Sequence, residues 1–271
     1  MAARPITFLS DYGYDDEFAG VCRAVIARIA PDSELIDLGH GVAPGDLRRG
    51  AVMLADAIPY APAGVHLAVV DPGVGTERRP VAVRLRAEDR VLVGPDNGLL
   101  WPAIEACRGA VEAADLARSP FRLEPLSATF HGRDLFAPVA ARLALGHALA
   151  DAGEPVDPRS LVALDVPAPR IEEDRVIAEV LYVDRFGNLT LSARPGDLEG
   201  QPLDPGERVV VEHGRRSHNA TFARAFAEVG EGELVLYEDS SRRIALAVNR
   251  GSAARALDAG AADAVVLHRV E

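Results

Sequence analysis

Short apolar runs alternate with segments of helical spacing over the first half of the chain. The strand-like runs cover residues 6–10, 35–38, 65–70, 81–85 and 91–93. The helical segments cover residues 18–29, 46–57, 101–107 and 135–145, and Asp46 stands at an N-cap position. Strands that alternate with helices predict a three-layer α/β domain with a mainly parallel sheet.

The second half differs from the first in composition and in the spacing of its apolar runs. Residues 151–173 are rich in proline, aspartate and alanine, a composition typical of a linker. Beyond them, short apolar runs separated by turns cover residues 176–183, 208–212, 233–237, 243–248 and 264–270. This pattern predicts a smaller antiparallel β-barrel or β-sandwich. We therefore predict two domains, an N-terminal α/β domain over residues 1–165 and a C-terminal β domain over residues 166–271.

Charge and length narrow the class of partner. The chain has 271 residues and a formal charge of −12, which argues against nucleic acid or an anionic membrane surface as a partner. No apolar run approaches the roughly 20 residues that span a bilayer, and no signal-peptide pattern precedes the first strand. With only Cys22 and Cys107, we expect no disulfide framework and a reducing cytoplasm as the location.

The basic residues exclude several kinds of chemistry. The sequence contains no lysine, so every basic side chain other than histidine is arginine. Schiff-base catalysis, pyridoxal phosphate anchoring and the phosphate-binding lysine of a P-loop are therefore excluded. The histidines are scattered without metal-ligand spacing, and we expect no metal site built on them.

A carboxylate followed by a glycine-rich turn stands out at residues 70–79, VDPGVGTERR. The predicted strand 65–70 ends at Asp71, and the turn brings Arg78 back towards it. One interpretation is a tight turn with a salt bridge. The other is a functional site, because such residues gather where strands end, and His131 offers a second polar group. A phosphate site is less favoured because no helix clearly begins there.

The acidic run that follows the first strand is also ambiguous. Four of the seven residues 11–17 are acidic. Their spacing favours a run that caps a helix through its dipole. Asp11, Asp15 and Asp16 are alternatively a candidate metal cluster of a carboxylate-metal hydrolase. In a third interpretation, Asp11 binds the vicinal hydroxyls of a ribose.

Two turns in the second half carry further candidates. Phe186 and Asn188 lie in the segment VDRFGN, which is either a plain hairpin loop or a purine site with stacking and edge contacts. The segment DSSRR at residues 239–243 precedes a predicted strand that ends at Asn249.

Taken together, seven segments in order along almost the whole chain resemble the S-adenosyl-L-methionine hydroxide adenosyltransferase family, whose relatives include fluorinating and chlorinating enzymes. The matching segments are LSDYGYDDEFAG, HGVAPGD, VVDPGVGTERRPV, VGPDNGLL, TFHGRDLFAPVAA, VDRFGN and SSRRIALAVNRG. Each is weak alone, whereas seven in register are specific.

The resemblance assigns roles to particular residues. Its water-binding set falls on Asp71, Arg78 and His131, and Arg78 rather than Arg79 is the predicted partner of Asp71. Its ribose-binding acid falls on Asp11, with Asp16 nearby. Its adenine and methionine contacts fall on Asp184, Phe186, Asn188, Ser240 and Asn249. An arginine follows Ser241 where glycine is more usual, and Gly45 occupies a position that holds a large aromatic residue in the halogenating relatives.

The resemblance also implies an assembly and an activity. The expected assembly is a homotrimer with each site between the N-domain of one subunit and the C-domain of its neighbour. The expected reaction is hydrolysis of S-adenosyl-L-methionine by displacement at C5′, with no cofactor and no metal. Methionine leaves as a neutral thioether, so the enzyme has mainly to position a water, which supplies roughly 7–11 kcal/mol of barrier lowering. Asp71 and His131 can each accept the proton of this water, and Arg78 orients the carboxylate.

Two alternatives use the same pocket. The first is a halogenase that forms 5′-halo-adenosine, and Asp71 disfavours it because a halide at 4 Å from a carboxylate costs about 4 kcal/mol at an intermediate dielectric. The second is a non-catalytic S-adenosyl-L-methionine sensor, against which the intact set of Asp71, Arg78 and His131 argues.

Overall fold

The computed structural model describes residues 3–198 and 205–269 and divides the chain into two compact units, Met1–Asp165 and Val166–Glu271. The first unit contains a seven-stranded sheet. Its strands are β1 (Ile6–Ser10), β2 (Leu35–Gly39), β3 (Val65–Val69), β4 (Pro80–Leu85), β5 (Val91–Pro95), β6 (Ala110–Asp115) and β7 (Glu154–Val156). Their spatial order is β2-β1-β3-β5-β4-β6-β7.

This sheet is parallel on one side and mixed on the other. Neighbours among β2, β1, β3 and β5 pair in parallel, whereas β4, β6 and β7 join by antiparallel pairing. Because two antiparallel steps restore the original direction, β6 runs the same way as β5. The mainly parallel sheet predicted from the sequence is therefore confirmed.

Helices cover both faces of the sheet. They are α1 (Phe18–Ile29), α2 (Leu47–Ala57), α3 (Trp101–Ala106), α4 (Ala137–Ala144) and α5 (Leu149–Ala152). Helices α1 and α4 pack with one set of sheet side chains around Phe8 and Leu67, while α2 and α3 pack with the opposite set around Leu9 and Leu92. The result is the predicted three-layer architecture. Asp46 caps α2 as expected, because its carboxylate accepts the amide N–H of Arg49 at 3.0 Å.

Two predicted elements require correction. The helix predicted over residues 135–145 is preceded by a π-helix, Gly132–Phe136, and its α-helical part is α4. The linker predicted over residues 151–173 is wrong in its first part, which forms β7 and pairs with β6. Proline is tolerated in β7 because an edge strand needs no N–H donor on its outer side.

The second unit is a closed barrel. Its strands are β8 (Arg170–Ile171), β9 (Arg175–Val183), β10 (Leu189–Leu191), β11 (Arg208–His213), β12 (Arg216–Phe222), β13 (Leu234–Glu238), β14 (Ile244–Val248) and β15 (Ala264–Arg269), and α6 (Ala253–Leu257) follows β14. The order is β10-β14-β13-β12-β11-β15-β9-β8, and the additional pairing of β9 with β10 closes a ring of seven strands. The parallel pair β12–β13 departs from the antiparallel prediction. Residue 270 of the last predicted strand lies outside the described residues.

Over residues 3–198 and 205–269, no helix has the length and apolar character that a bilayer crossing needs.

Candidate active site

Asp71 and Arg78 form a tight ion pair just beyond the end of β3. Arg78 Nε donates to Asp71 Oδ1 at 2.9 Å and to Oδ2 at 3.1 Å, and Arg78 Nη2 also donates to Oδ2. The side chains are only 6% exposed for Asp71 and 9% exposed for Arg78. The carboxylate is therefore held in a fixed orientation by a two-pronged donor.

The turn between the two residues explains how they meet. The amide of Val74 donates to the Asp71 carbonyl at 3.2 Å, and the amide of Thr76 donates to the Gly73 carbonyl at 3.1 Å. Gly75 adopts a φ of +79°, and a Cβ there would lie 2.6 Å from the carbonyl oxygen of Ala128. Glycine at this position thus lets the turn approach the segment that leads to His131.

His131 joins the pair through Arg78, whose Nη2 lies 3.0 Å from His131 Nδ1. A guanidinium can only donate, so Nδ1 accepts and the ring hydrogen of the neutral imidazole lies on Nε2. Burial lowers the pKa of His131, and Arg78 lowers it further, against smaller opposing effects of Asp71 and Asp134. The sequence left both Asp71 and His131 as proton acceptors. In this hydrogen-bond network a neutral His131 has only the Nε2–H donor left, whereas the Asp71 carboxylate can still accept.

A π-helical turn brings a third group to the guanidinium. His131 immediately precedes the π-helix Gly132–Phe136, in which the Ala137 amide donates to the Gly132 carbonyl five residues earlier. The Cζ atom of Arg78 lies 5.2 Å from the centroid of the Phe136 ring, within the range of a cation–π contact. Arg78 is thereby fixed by a carboxylate, an imidazole and an aromatic ring.

The neighbouring arginine has a separate partner. Arg79 donates to Asp96 Oδ2 from Nε at 3.0 Å and from Nη2 at 2.6 Å. The other oxygen of Asp96 accepts the amide of Val162 at 2.7 Å. Beside it, the side-chain amide of Asn97 donates to the Val70 carbonyl at 2.9 Å and so anchors the backbone next to Asp71. Sequence reasoning did not single out Asn97, although it lies in a matching segment.

Asp11 lies at the end of β1, the strand adjacent to β3. Its amide donates to the Val69 carbonyl at 3.3 Å, and its Oδ2 accepts the amide of Gly45 at 2.9 Å. Burial raises the pKa of Asp11, and the charge of Asp71 raises it further, while hydrogen bonds from backbone amides oppose the shift. The two carboxylates therefore act on the same region at the carboxyl end of the sheet.

The position of Gly45 is open on the side that faces Pro72. Gly45 has a φ of +75°, and among the described residues a Cβ built there would have Pro72 Cβ, at 3.7 Å, as its one neighbour within 4 Å outside the adjacent residues. A side chain would meet backbone strain at this position, although space for it exists.

The remaining acids of the first run are not gathered into a site. Asp15 and Asp16 are exposed, and Glu17 occupies the N-cap of α1 without a side-chain capping hydrogen bond. In the part of the chain that the structure describes, no three His, Cys, Asp or Glu side chains come together in a way that could hold a metal ion.

In the barrel, Asp184 organises the turn that carries Phe186 and Asn188. Its Oδ1 accepts the amides of Phe186 at 2.8 Å and Asn188 at 2.9 Å, and its Oδ2 accepts the Asn188 side chain at 2.9 Å. Phe186 is 62% exposed, one of several large apolar side chains that the structure leaves exposed.

This turn borders a cavity of about 470 Å³, within the size range of small-molecule pockets. It is lined by Phe186, Asn188, Phe226, Ala247, Val248, Asn249, Arg250 and Gly251. The side-chain amide of Asn249 donates to the Val229 carbonyl at 2.8 Å, which fixes its orientation. Sequence reasoning did not single out Phe226, because nothing in the alanine-rich segment FARAFAEV around it indicates a binding role. It packs edge-on against Tyr237, with ring centroids 5.0 Å apart.

Ser240 lies in the exposed turn between β13 and β14. Asp239 Oδ1 accepts the amides of Ser241 at 2.8 Å and Arg243 at 3.0 Å. Arg242 has a φ of +61°, which is the left-handed conformation that favours glycine. The arginine that departs from the usual glycine thus keeps a glycine-like backbone.

Both units match domains of known proteins. Residues 6–153 match the N-terminal domain of SAM hydroxide adenosyltransferase, and residues 178–266 match the C-terminal domain. An (R)-S-adenosyl-L-methionine hydrolase of Salinispora tropica is 52% identical over 255 residues, which cover 94% of each chain. A protein of the same name from Thermus thermophilus is 41% identical and covers 94% of this chain and 95% of its own.

A more distant relative and a solved structure are also similar to this chain over most of its length. A fluorinase of an Actinoplanes species is 29% identical over 274 residues, 90% of each chain. A crystal structure of an uncharacterized conserved protein from Thermotoga maritima superposes with a TM-score of 0.91 at 36% identity, covering 97% of this chain and all of the other. The chain therefore belongs to the S-adenosyl-L-methionine hydroxide adenosyltransferase family.

Proposed function

We propose that the protein hydrolyses S-adenosyl-L-methionine to adenosine and L-methionine, acting on the (R)-sulfonium form named in its relatives. The observation that carries the proposal is the Arg78 guanidinium, which holds Asp71 and His131 together at the end of β3. The relatives named as hydrolases reach 52% identity, whereas the fluorinase stands at 29%. Hydrolysis is therefore favoured over halogenation.

The reaction is an in-line displacement at C5′. The water oxygen forms a bond to C5′ as the C5′–S bond breaks, and the bonding electron pair leaves with sulfur, which becomes the neutral thioether of methionine. One proton of the water passes to Asp71 and the other stays on the 5′-oxygen of adenosine, while His131 Nε2–H donates to the water oxygen and orients it. Arg78 keeps Asp71 aligned and keeps His131 in the donor tautomer.

Substrate binding involves both units. Asp11 binds the ribose hydroxyls beside Asp71, with Asp16 nearby. The barrel cavity takes the adenine, which stacks on Phe186 and meets the amides of Asn188 and Asn249. Asp184 acts indirectly by holding that turn, and Ser240 contacts the methionine part. Two carboxylates near the reaction centre favour a sulfonium cation electrostatically and disfavour a halide.

Three further features complete the proposal. The protein is a homotrimer whose active sites form between the N-terminal unit of one subunit and the barrel of its neighbour. It uses no cofactor or metal, and neither nucleic acid nor a membrane is a partner. It acts in the cytoplasm, where its two buried, free cysteines stay reduced.

Labelled water tests the reaction directly. Turnover in H₂¹⁸O should place the label on the 5′-oxygen of adenosine. Adenosine without label, or 5′-halo-adenosine when chloride or fluoride is supplied, would contradict hydrolysis by this route. Turnover that is abolished by a chelator would instead favour the carboxylate-metal hydrolase.

Substitution of Asp71 separates an enzyme from a sensor. Asp71→Ala should lose turnover by at least roughly a hundredfold while it still binds S-adenosyl-L-methionine, because it removes the proton acceptor. The matched control is Asp96→Ala, which breaks the similar ion pair with Arg79 in the adjacent loop. Binding by the native chain without product over a long incubation would identify a sensor.

A further inference from the structure

A chain of polar side chains runs from the buried Ser10 next to Asp11 to the half-exposed Arg23, and it has no part in the proposed reaction. Ser10 Oγ lies 2.7 Å from His40 Nδ1, and His40 Nε2 lies 3.3 Å from Asp37 Oδ1. Arg23 Nη1 completes it at 3.0 Å from Asp37 Oδ2. Ser10 is 0% exposed and His40 is 1% exposed.

The donors and acceptors of this chain follow from its two ends. The Tyr12 amide donates to Ser10 Oγ at 3.3 Å, so the serine hydroxyl is free to donate to His40 Nδ1. Nδ1 of His40 then accepts this hydrogen bond, and the other ring nitrogen, Nε2, lies on the side of the ring near Asp37. His40 Nε2 and Asp37 Oδ1 approach each other without a hydrogen bond, and within the described residues neither atom has a hydrogen-bond partner.

The residue types match those of a nucleophilic serine site, but the geometry excludes that function. A serine nucleophile must expose its oxygen to the substrate. Ser10 Oγ is buried and is directed at a backbone amide. The network therefore acts on the backbone.

That backbone is the loop that carries Asp11. Ser10 Oγ holds the amide of Tyr12, and the His40 carbonyl accepts the amide of Gly13 at 2.7 Å. Asp11 lies directly before these two anchored amides, and its carboxylate is held from the other side by Gly45. Both anchors of the loop thus depend on the placement of His40.

We propose that Ser10, His40 and Asp37 form a positioning network that fixes Asp11 for the selection of the ribose hydroxyls of the substrate. The inference rests on the proposed function, in which Asp11 binds the ribose. A carboxylate in a fixed orientation distinguishes a ribose from a deoxyribose because the missing hydroxyl leaves it without a partner.

The chain offers a matched pair of variants for the test. Ser10→Ala removes the hydroxyl that joins His40 to the Asp11 loop. Thr7→Val removes an equally buried hydroxyl on the same strand, which contacts His66 Nδ1 at 2.9 Å at the opposite end of β1. Both changes delete one buried hydroxyl–histidine hydrogen bond, and only the first touches the Asp11 loop.

The readout is the ratio of kcat/KM for S-adenosyl-L-methionine to that for its 2′-deoxy and 3′-deoxy analogues. Ser10→Ala should lower this ratio roughly threefold to tenfold, the effect of one hydrogen bond. Thr7→Val should leave the ratio at the native value. If Ser10→Ala does not fold, Asp37→Asn is measured instead, because it keeps the size of the side chain and removes the charge.

Asp11→Asn distinguishes a failure of the network from a failure of the proposed ribose role of Asp11. A ratio that falls in Asp11→Asn and in Ser10→Ala supports the network. A ratio that falls in Asp11→Asn but stays native in Ser10→Ala or its substitute overturns the network and leaves the proposed function intact. A native ratio in Asp11→Asn overturns the ribose role of Asp11, and with it the network.

Discussion

Arg78 donates a hydrogen bond to His131 Nδ1 at 3.0 Å, and the same side chain also donates to the carboxylate of Asp71. One guanidinium therefore sets both the orientation of the Asp71 carboxylate and the tautomer of a neutral His131. A lysine at this position would supply the charge but not the fork of donors.

Arg78→Lys should accordingly lower kcat by at least roughly a hundredfold, because a point charge cannot serve Asp71 and His131 together. The measurement is the rate of adenosine release at saturating substrate. Arg79→Lys is the control, since Arg79 directly follows Arg78 and forms a similar pair with Asp96. Equal losses in the two variants would show that the effect is structural.

The pH dependence follows from the lowered pKa of His131. The proposed role requires a neutral imidazole whose Nδ1 accepts from Arg78, and protonation would place a hydrogen on that atom. Burial and Arg78 lower this pKa from its ordinary value of 6.5, so activity should persist as the pH falls through 6.5 and decline only below it. A profile of kcat/KM with its acid midpoint at or above 6.5 would contradict this assignment.

His66, outside the candidate site, gives a prediction about stability. His66 is fully buried, and its Nε2 lies 3.2 Å from Arg90 Nη1 while Nδ1 contacts Thr7. Burial, Arg90 and Arg4 lower the pKa of His66 from 6.5 to about 3. Between pH 6.5 and about pH 3, His66 is therefore protonated in the unfolded chain and neutral in the folded chain. Its contribution to stability is present above pH 6.5 and is lost as the pH falls towards 3.

At pH 5 the loss from His66 should reach about 2 kcal/mol relative to pH 7. Urea unfolding at the two pH values measures it. In His66→Gln the difference in unfolding free energy between the two values should shrink by about this amount. The same change at the partly exposed His218 is the control, and a native pH dependence in His66→Gln would refute the assignment.

The left-handed backbone of Arg242 gives a prediction about stability in the barrel. Both Arg242→Gly and Arg242→Ala lose the contact of Arg242 with Glu238, but only glycine relieves a φ of +61°. The glycine variant should therefore be more stable than the alanine variant by about 1 kcal/mol. At the exposed Arg118, which is not left-handed, the order of the two variants should reverse. Thermal unfolding of the four proteins measures both comparisons.

The elements that sequence reasoning located are those whose signal is local. Asp71 and Arg78 are seven residues apart in one turn, so the strand end and the glycines before Arg78 suffice to predict their pairing. The strand β6, with the sequence AVEAAD, was not predicted, because alanine and acidic residues have low strand propensity. Its pairing with β4, a tertiary contact, decides its conformation.

In the candidate site, too, features that depend on tertiary contacts could not be predicted from the sequence. Phe226 reaches the barrel cavity through a contact with Tyr237 and the closure of the barrel, and neither leaves a pattern in the sequence. The donor role of His131 depends on which ring nitrogen faces Arg78, a detail that residue types cannot convey. The pairing of Asp71 with Arg78 was therefore predictable, whereas the direction of the hydrogen bond to His131 was not.

The π-helix at Gly132–Phe136 makes the length of this segment a functional constraint. A regular α-helical turn closes its hydrogen bond after four residues, whereas here the Ala137 amide reaches the Gly132 carbonyl over five. Removing one residue from 132–136 would give an unremarkable α-helix, yet it would rotate His131 by about 100° relative to α4. A relative with a one-residue deletion at this place would keep the fold and the pair of Asp71 and Arg78, and would lose the alignment of His131 with Arg78.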